Sequence, residues 1–87
     1  MVQKEVVVNL KGGLFARAAA NFVQAANRFH AEIFLERDGK AVNAKSIMGV
    51  MSLAVAAGQP VIVQANGQDE ERAVEQLAQL IASDQLN

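Results

Sequence analysis

Glu32-Ile33-Phe34-Leu35-Glu36-Arg37-Asp38-Gly39-Lys40-Ala41-Val42-Asn43-Ala44-Lys45-Ser46-Ile47-Met48-Gly49-Val50-Met51-Ser52-Leu53 is the stretch that decides the fold. Glu32 to Glu36 reads as a strand with an apolar centre. Asp38-Gly39 predicts a tight hairpin, because a type I′ turn needs positive φ at both central residues. Lys40 to Asn43 returns as a short strand. Ser46 then stands before Ile47 to Val55, an apolar run at helical spacing, with Ser46 as its N-cap and Gly58 as its stop. A hairpin followed at once by a short apolar helix excludes an all-helical or all-strand chain.

Working outward, Glu5 to Leu10 is rich in β-branched residues and predicts a strand. Gly12-Gly13 breaks it, and Ala16 to Asn27 predicts a helix with Ala19, Phe22, Val23 and Ala26 on one face. After Gly58, Pro60 opens the strand Val61 to Ala65, where a missing N–H costs least. Asn66-Gly67 turns the chain. Asp69 is the expected cap of a last helix, with Glu70 and Glu71 well placed for its dipole. Its apolar stripe is Ala73, Val74, Leu77, Leu80 and Ile81. The order is βαββαβα, an α+β sandwich whose helices cover one face of a mainly antiparallel sheet.

The chain has 87 residues, enough for one domain spanning 1–87 and no second. Hydrophobic residues make up 52%, which supports a packed core. There is no cysteine, so disulfides, thiol nucleophiles and thiolate metal sites are excluded. The lone histidine, His30, excludes a multi-histidine zinc site. No apolar run approaches the ~20 residues of a membrane span, and Met1 to Glu5 has no apolar segment of a secretory signal. The expectation is a cytoplasmic protein without cofactor or metal. The net charge of −1 argues against direct nucleic-acid binding. Residues 1–45 carry seven basic and four acidic side chains, whereas 46–87 carry one and five. Scatter over a solvated surface accounts for this; so does a modest positive face for an anionic partner.

Three stretches could carry chemistry. Gly12-Gly13 ahead of a helix, with Arg17 in its first turn, has the form of an anion-binding helix start, although a plain turn has the same form. Phe15 is either a packing residue at that start or an exposed aromatic of a contact surface. Ser46 serves as a cap, and a phosphoryl group on it would meet the positive end of a helix. Behind it, at about 100° per residue, Ile47, Met48, Met51 and Val55 share one sector and Val50, Leu53 and Ala54 another. A helix on an open sandwich buries one broad face, so one sector is core and the other is either buried too or a sticky, methionine-rich patch. His30 alone supports no triad.

Taken together these residues resemble the HPr family, the phosphocarriers of the bacterial sugar phosphotransferase system. The resemblance covers nearly the whole chain and rests on Gly13-Leu14, Ala16-Arg17, Phe29, Asp38-Gly39-Lys40 and above all Val42 to Leu53. It implies an HPr-like open-faced β-sandwich of four antiparallel strands and three helices. It also implies that Ser46 is the regulatory serine that an ATP-dependent kinase modifies. The family's phosphorylatable histidine lies in a Gly-Leu-His-Ala-Arg-Pro motif. Here the stretch is Gly13-Leu14-Phe15-Ala16-Arg17-Ala18. A phenyl ring has no lone pair to attack phosphorus, so phosphoryl relay at this position is excluded.

The chain is similar to the Crh branch of the family, which lacks that histidine, keeps the serine and usually has glutamine where Phe15 stands. The resemblance implies a regulatory protein rather than an enzyme. HPr kinase/phosphorylase would phosphorylate Ser46, and the product would act as corepressor of catabolite control protein A. Lys45, Ile47, Met48, Met51, Phe15, Arg17 and Ala20 would form the partner surface, with Arg17 approaching either the phosphate or the partner. Alternatives are an unmodified module binding a metabolic enzyme such as methylglyoxal synthase, and a phosphocarrier acting through His30. Gly12-Gly13 is a hinge at which the first strand could be exchanged between two chains.

Overall fold

The computed structural model describes residues 1–83. The elements are β1 (Val2–Val7), α1 (Ala16–Ala26), β2 (Glu32–Arg37), β3 (Lys40–Asn43), α2 (Ile47–Ser52), β4 (Pro60–Asn66) and α3 (Glu70–Ala82). The order is the expected one. The four strands form one antiparallel sheet in the order β1-β4-β2-β3. The Asp38-Gly39 turn has φ of 52° and 82°, the pair of positive values the hairpin requires.

Strand alternation makes the sheet two-faced. Ile33 and Leu35 of β2 and Val61, Val63 and Ala65 of β4 are buried. They meet Ala18, Ala19, Phe22 and Ala26 of α1 and Ala73, Val74, Leu77 and Ile81 of α3 in one core. Each large side chain removed from water there stabilises the fold by roughly 1.5–3 kcal/mol. The opposite face carries Phe34, Glu36, Ile62 and Gln64, all half-buried, with Gln64 Nε2 donating to Glu36 Oε1 at 2.9 Å. No helix of the described residues is long and apolar enough to cross a membrane.

Three local expectations are corrected. The first strand runs from Val2 to Val7, not Glu5 to Leu10, because its register is set by β4, with Val2 opposite Ala65 and Val7 opposite Pro60. Val8 and Leu10 are buried beyond the strand end. Next, α2 stops at Ser52 rather than Val55. Arg37 Nη1 donates to the carbonyls of Leu53 and Ala54 at 2.7 and 3.3 Å, satisfying the open helix end, and Ala54 turns left-handed at φ 51°. Finally, Asp69 precedes α3 but its side chain makes no cap bond there. Its carboxylate instead accepts the His30 and Ala31 N–H groups at 3.0 and 2.9 Å.

Candidate functional site

Ser46 caps α2 as its sequence position suggests. Its backbone is extended, and its Oγ accepts the Gly49 N–H at 3.1 Å. The segment ahead of it is pinned. Asn43 Oδ1 accepts the Lys45 N–H at 2.8 Å, and the Ser46 N–H donates to the Asn43 carbonyl at 3.1 Å. Gly49 lies close to this turn: a Cβ there would stand 3.3 Å from the Asn43 carbonyl oxygen.

The two apolar sectors of α2 part company. Val50 and Leu53 are buried, at 0% and 4% exposure. Ile47, Met48 and Met51 remain 37%, 77% and 41% exposed. Val55 leaves the exposed sector, since the helix has ended before it and the loop carries it into the core. The methionine-rich side is therefore an uncovered apolar patch on the described chain.

Phe15 stands at the cap position of α1 and is 37% exposed. It makes no side-chain cap bond; its carbonyl accepts Ala18 and Ala19 N–H groups. Two of the backbone N–H groups ahead of it are engaged within the fold. The Gly13 N–H donates to Leu10, and the Leu14 N–H to the Val55 carbonyl, each at 2.9 Å. Gly13 is needed because a Cβ there would lie 2.5 Å from that same Val55 oxygen.

Hydrogen bonds fix how the two helices run. The start of α1 touches the chain just past α2, through Leu14 and Val55. The end of α1 touches the chain just before α2: Lys45 Nζ donates to the Phe29 carbonyl at 2.7 Å, and Asn27 Nδ2 to the Lys45 carbonyl at 3.4 Å. The helices are thus antiparallel neighbours. Phe15 and Arg17 lie toward the exit of α2, while Ser46 lies toward the end of α1. About 15 Å of helix, at 1.5 Å per residue, separates Arg17 from Asn27. Arg17 and Ala20 are exposed, and Lys45 is half-buried with its ammonium engaged.

His30 lies in the turn after α1 and is exposed. It borders a shallow depression lined by Gly67, Gln68, Asp69, Glu70, Glu71 and Arg72. The backbone N–H of His30, with that of Ala31, holds the Asp69 carboxyl below its ordinary range. The Gly67 N–H does the same for Glu70, helped by the N-terminal ammonium 3.3 Å away. Sequence reading missed both the Asp69 clasp and the Arg37 bond, for each joins residues far apart in the chain. No metal-holding cluster of acidic or histidine side chains occurs among the described residues.

What the site defines is a small α+β domain with a serine-capped helix beside an exposed apolar strip, on an open-faced sandwich. The chain belongs to the HPr family. The family model described as the PTS HPr component phosphorylation site matches residues 2–83. The HPr-like protein Crh of Bacillus subtilis is 63% identical over 78 residues, which are 90% of this chain and 92% of that one. Among solved structures, HPr-C-His from Thermoanaerobacter tengcongensis superposes with a TM-score of 0.93 at 49% identity, covering 97% of this chain and 94% of that one. A crystal structure of B. subtilis Crh superposes at 0.77 with 58% identity over 97% of each chain, and it is a dimer with a swapping domain. The chain is a Crh-like HPr homologue, a regulatory HPr-like protein rather than an enzyme.

Proposed function

We propose that this protein is a serine-switched regulator of carbon catabolite repression. HPr kinase/phosphorylase phosphorylates Ser46 in the cytoplasm, and the phosphorylated form is the corepressor of catabolite control protein A. The observation that carries this reading is the pairing of Ser46, as cap of α2, with the exposed Ile47, Met48 and Met51 next to it. A phosphoryl group adds about −1.5 to −2 charge and three strong acceptors. Arginine and lysine on the partner answer that charge, while the apolar side chains supply buried area and Phe15 extends it. Phe15 also closes the histidine route, since its ring can neither take up nor pass on a phosphoryl group.

Intact-mass measurement after incubation with the kinase and ATP tests the switch. One added phosphoryl group, absent from Ser46→Ala, is expected; no added mass overturns the reading. Regulator binding then follows by calorimetry. Met48→Glu and Met51→Glu are expected to weaken it more than tenfold with little loss of stability, as for buried anchors of an interface. Acid-labile phosphate on His30 after incubation with phosphoenolpyruvate and the first relay enzyme would instead establish a phosphocarrier.

A second reading is favoured by the exposure of the apolar strip before any modification. In it the unmodified protein binds a metabolic enzyme such as methylglyoxal synthase. Binding that survives Ser46→Ala and weakens on phosphorylation supports it.

We also propose that β1 can exchange between two chains. The hinge would be residues 8–13, where Gly12 and Gly13 have φ of 86° and 80°. Val2 and Val6 pack on the core and would repack on the partner's. The swapping dimer of B. subtilis Crh supports this. A single monomer species in sedimentation across a wide concentration range would exclude it.

A further inference from the structure

One peptide unit is held by charge on both sides. Lys45 Nζ donates to the Phe29 carbonyl oxygen at 2.7 Å. The N–H of that same peptide, belonging to His30, donates to Asp69 Oδ2 at 3.0 Å. Ammonium, amide and carboxylate thus form one continuous chain of hydrogen bonds. Each bond in such a chain polarises the next: a cation on the carbonyl makes the N–H a better donor to the anion. The peptide is also confined. The Phe29 ring is buried with the Arg72 guanidinium 5.7 Å from its centroid. Gly67 presses on the adjoining residue, for a Cβ there would stand 2.6 Å from the Ala31 Cα.

Lys45 directly precedes Ser46. We propose that Lys45 and the Phe29–His30 peptide form a relay that carries the charge state of Ser46 to the clasp at the start of α3. Its use in the cell rests on the phosphorylation of Ser46 proposed above. A phosphate on Ser46 places a dianion on the residue that follows Lys45 in the chain. The ammonium is then shared between the phosphate and the Phe29 carbonyl. The backbone of Lys45 stays where it is, since its N–H and carbonyl are bound by Asn43 and Asn27. Only the side chain responds. With the carbonyl less polarised, His30 becomes a weaker donor to Asp69, and the bond between the α1–β2 turn and the start of α3 loosens.

The test compares Ser46→Asp with Ser46→Asn by NMR of the full chain. Both side chains can cap a helix and they have nearly the same shape, so the difference isolates charge. Relative to Ser46→Asn, Ser46→Asp is expected to move the His30 amide proton and the Phe29 carbonyl carbon upfield. Exchange protection of the His30 amide is expected to fall roughly two- to fivefold, as a partial weakening of a bond to a charged acceptor requires. Lys45→Met should shift the same signals in the same direction, and Ser46→Asp should add nothing in that background. Equal His30 and Phe29 signals in the Asp and Asn variants overturn the relay, whether or not Lys45→Met folds. So does a response that persists without Lys45. Because the charge is introduced by substitution, the outcome does not depend on the kinase. Failure of the relay and failure of Ser46 phosphorylation are therefore separate results.

Discussion

Replacing Ser46 by alanine deletes the single side-chain acceptor at the start of α2, the Oγ that receives the Gly49 N–H at 3.1 Å. The helix has only six residues, so each bond at its end is a large share of what orders it. Loss of a serine cap costs about 1 kcal/mol. Gly49 is half-buried, so the expected penalty stays near that value rather than at the cost of a fully buried orphan. In a domain of this length, about 1 kcal/mol lowers the melting temperature by roughly 4–8 °C. Urea unfolding followed by circular dichroism reads the same loss as a lower midpoint at an unchanged slope. Ser46→Asn and Ser46→Asp keep an acceptor and should lie within a few tenths of a kcal/mol of the natural chain. If alanine is as stable as serine, or asparagine is no better than alanine, the Oγ–Gly49 bond does not hold α2. The same experiment sets the temperature below which Ser46→Ala is a sound control for phosphorylation.

Two further outcomes are expected. Asp69→Asn should be less stable than the natural chain at neutral pH, with the gap closing in acid. The folded carboxyl titrates below its ordinary value, so its contribution is present above the unfolded pKa and lost as pH falls through the folded one; a gap that persists unchanged well below pH 4 would refute this account. Gly13→Ala should cost roughly 2–5 kcal/mol, combining a left-handed backbone with a clash against Val55. Gly12→Ala, at a similar φ of 86° but with open space around it, should cost only the backbone part, about 1–2 kcal/mol. Equal losses at the two positions, measured by urea unfolding, would show that the close approach of Gly13 to Val55 carries no energy.

Local chemistry is legible in this chain wherever a neighbour within a few residues decides the outcome. The β2–β3 hairpin with its Asp38-Gly39 turn and the Ser46 cap both follow from short-range rules, and both stand in the structure. The ends of β1 and α2 do not. Strand pairing with β4 sets the first, and the Arg37 guanidinium, brought in from the hairpin, sets the second. Asp69 shows the same limit. Next to its own helix it reads as a cap, yet the carboxylate is taken by two N–H groups in the turn after α1. Two acceptors on one carboxylate satisfy two donors there, and the choice is visible only once α3 lies against that turn.

By itself the sequence determined the element order, the sheet-and-helix class, the serine at the start of α2 and a phenyl ring at position 15, which the family resemblance sets against a histidine. These are matters of period, turn chemistry and the atoms a side chain does or does not carry. Only the tertiary structure decided which side of α2 faces water, that α1 and α2 run antiparallel so that Arg17 and Ser46 lie at opposite ends, and that Lys45 is tied to Phe29. Those outcomes depend on which surfaces compete for burial and which distant donors find acceptors. An amphipathic pattern that could bury either of two sectors leaves that competition open until the other helices and the sheet have taken their places.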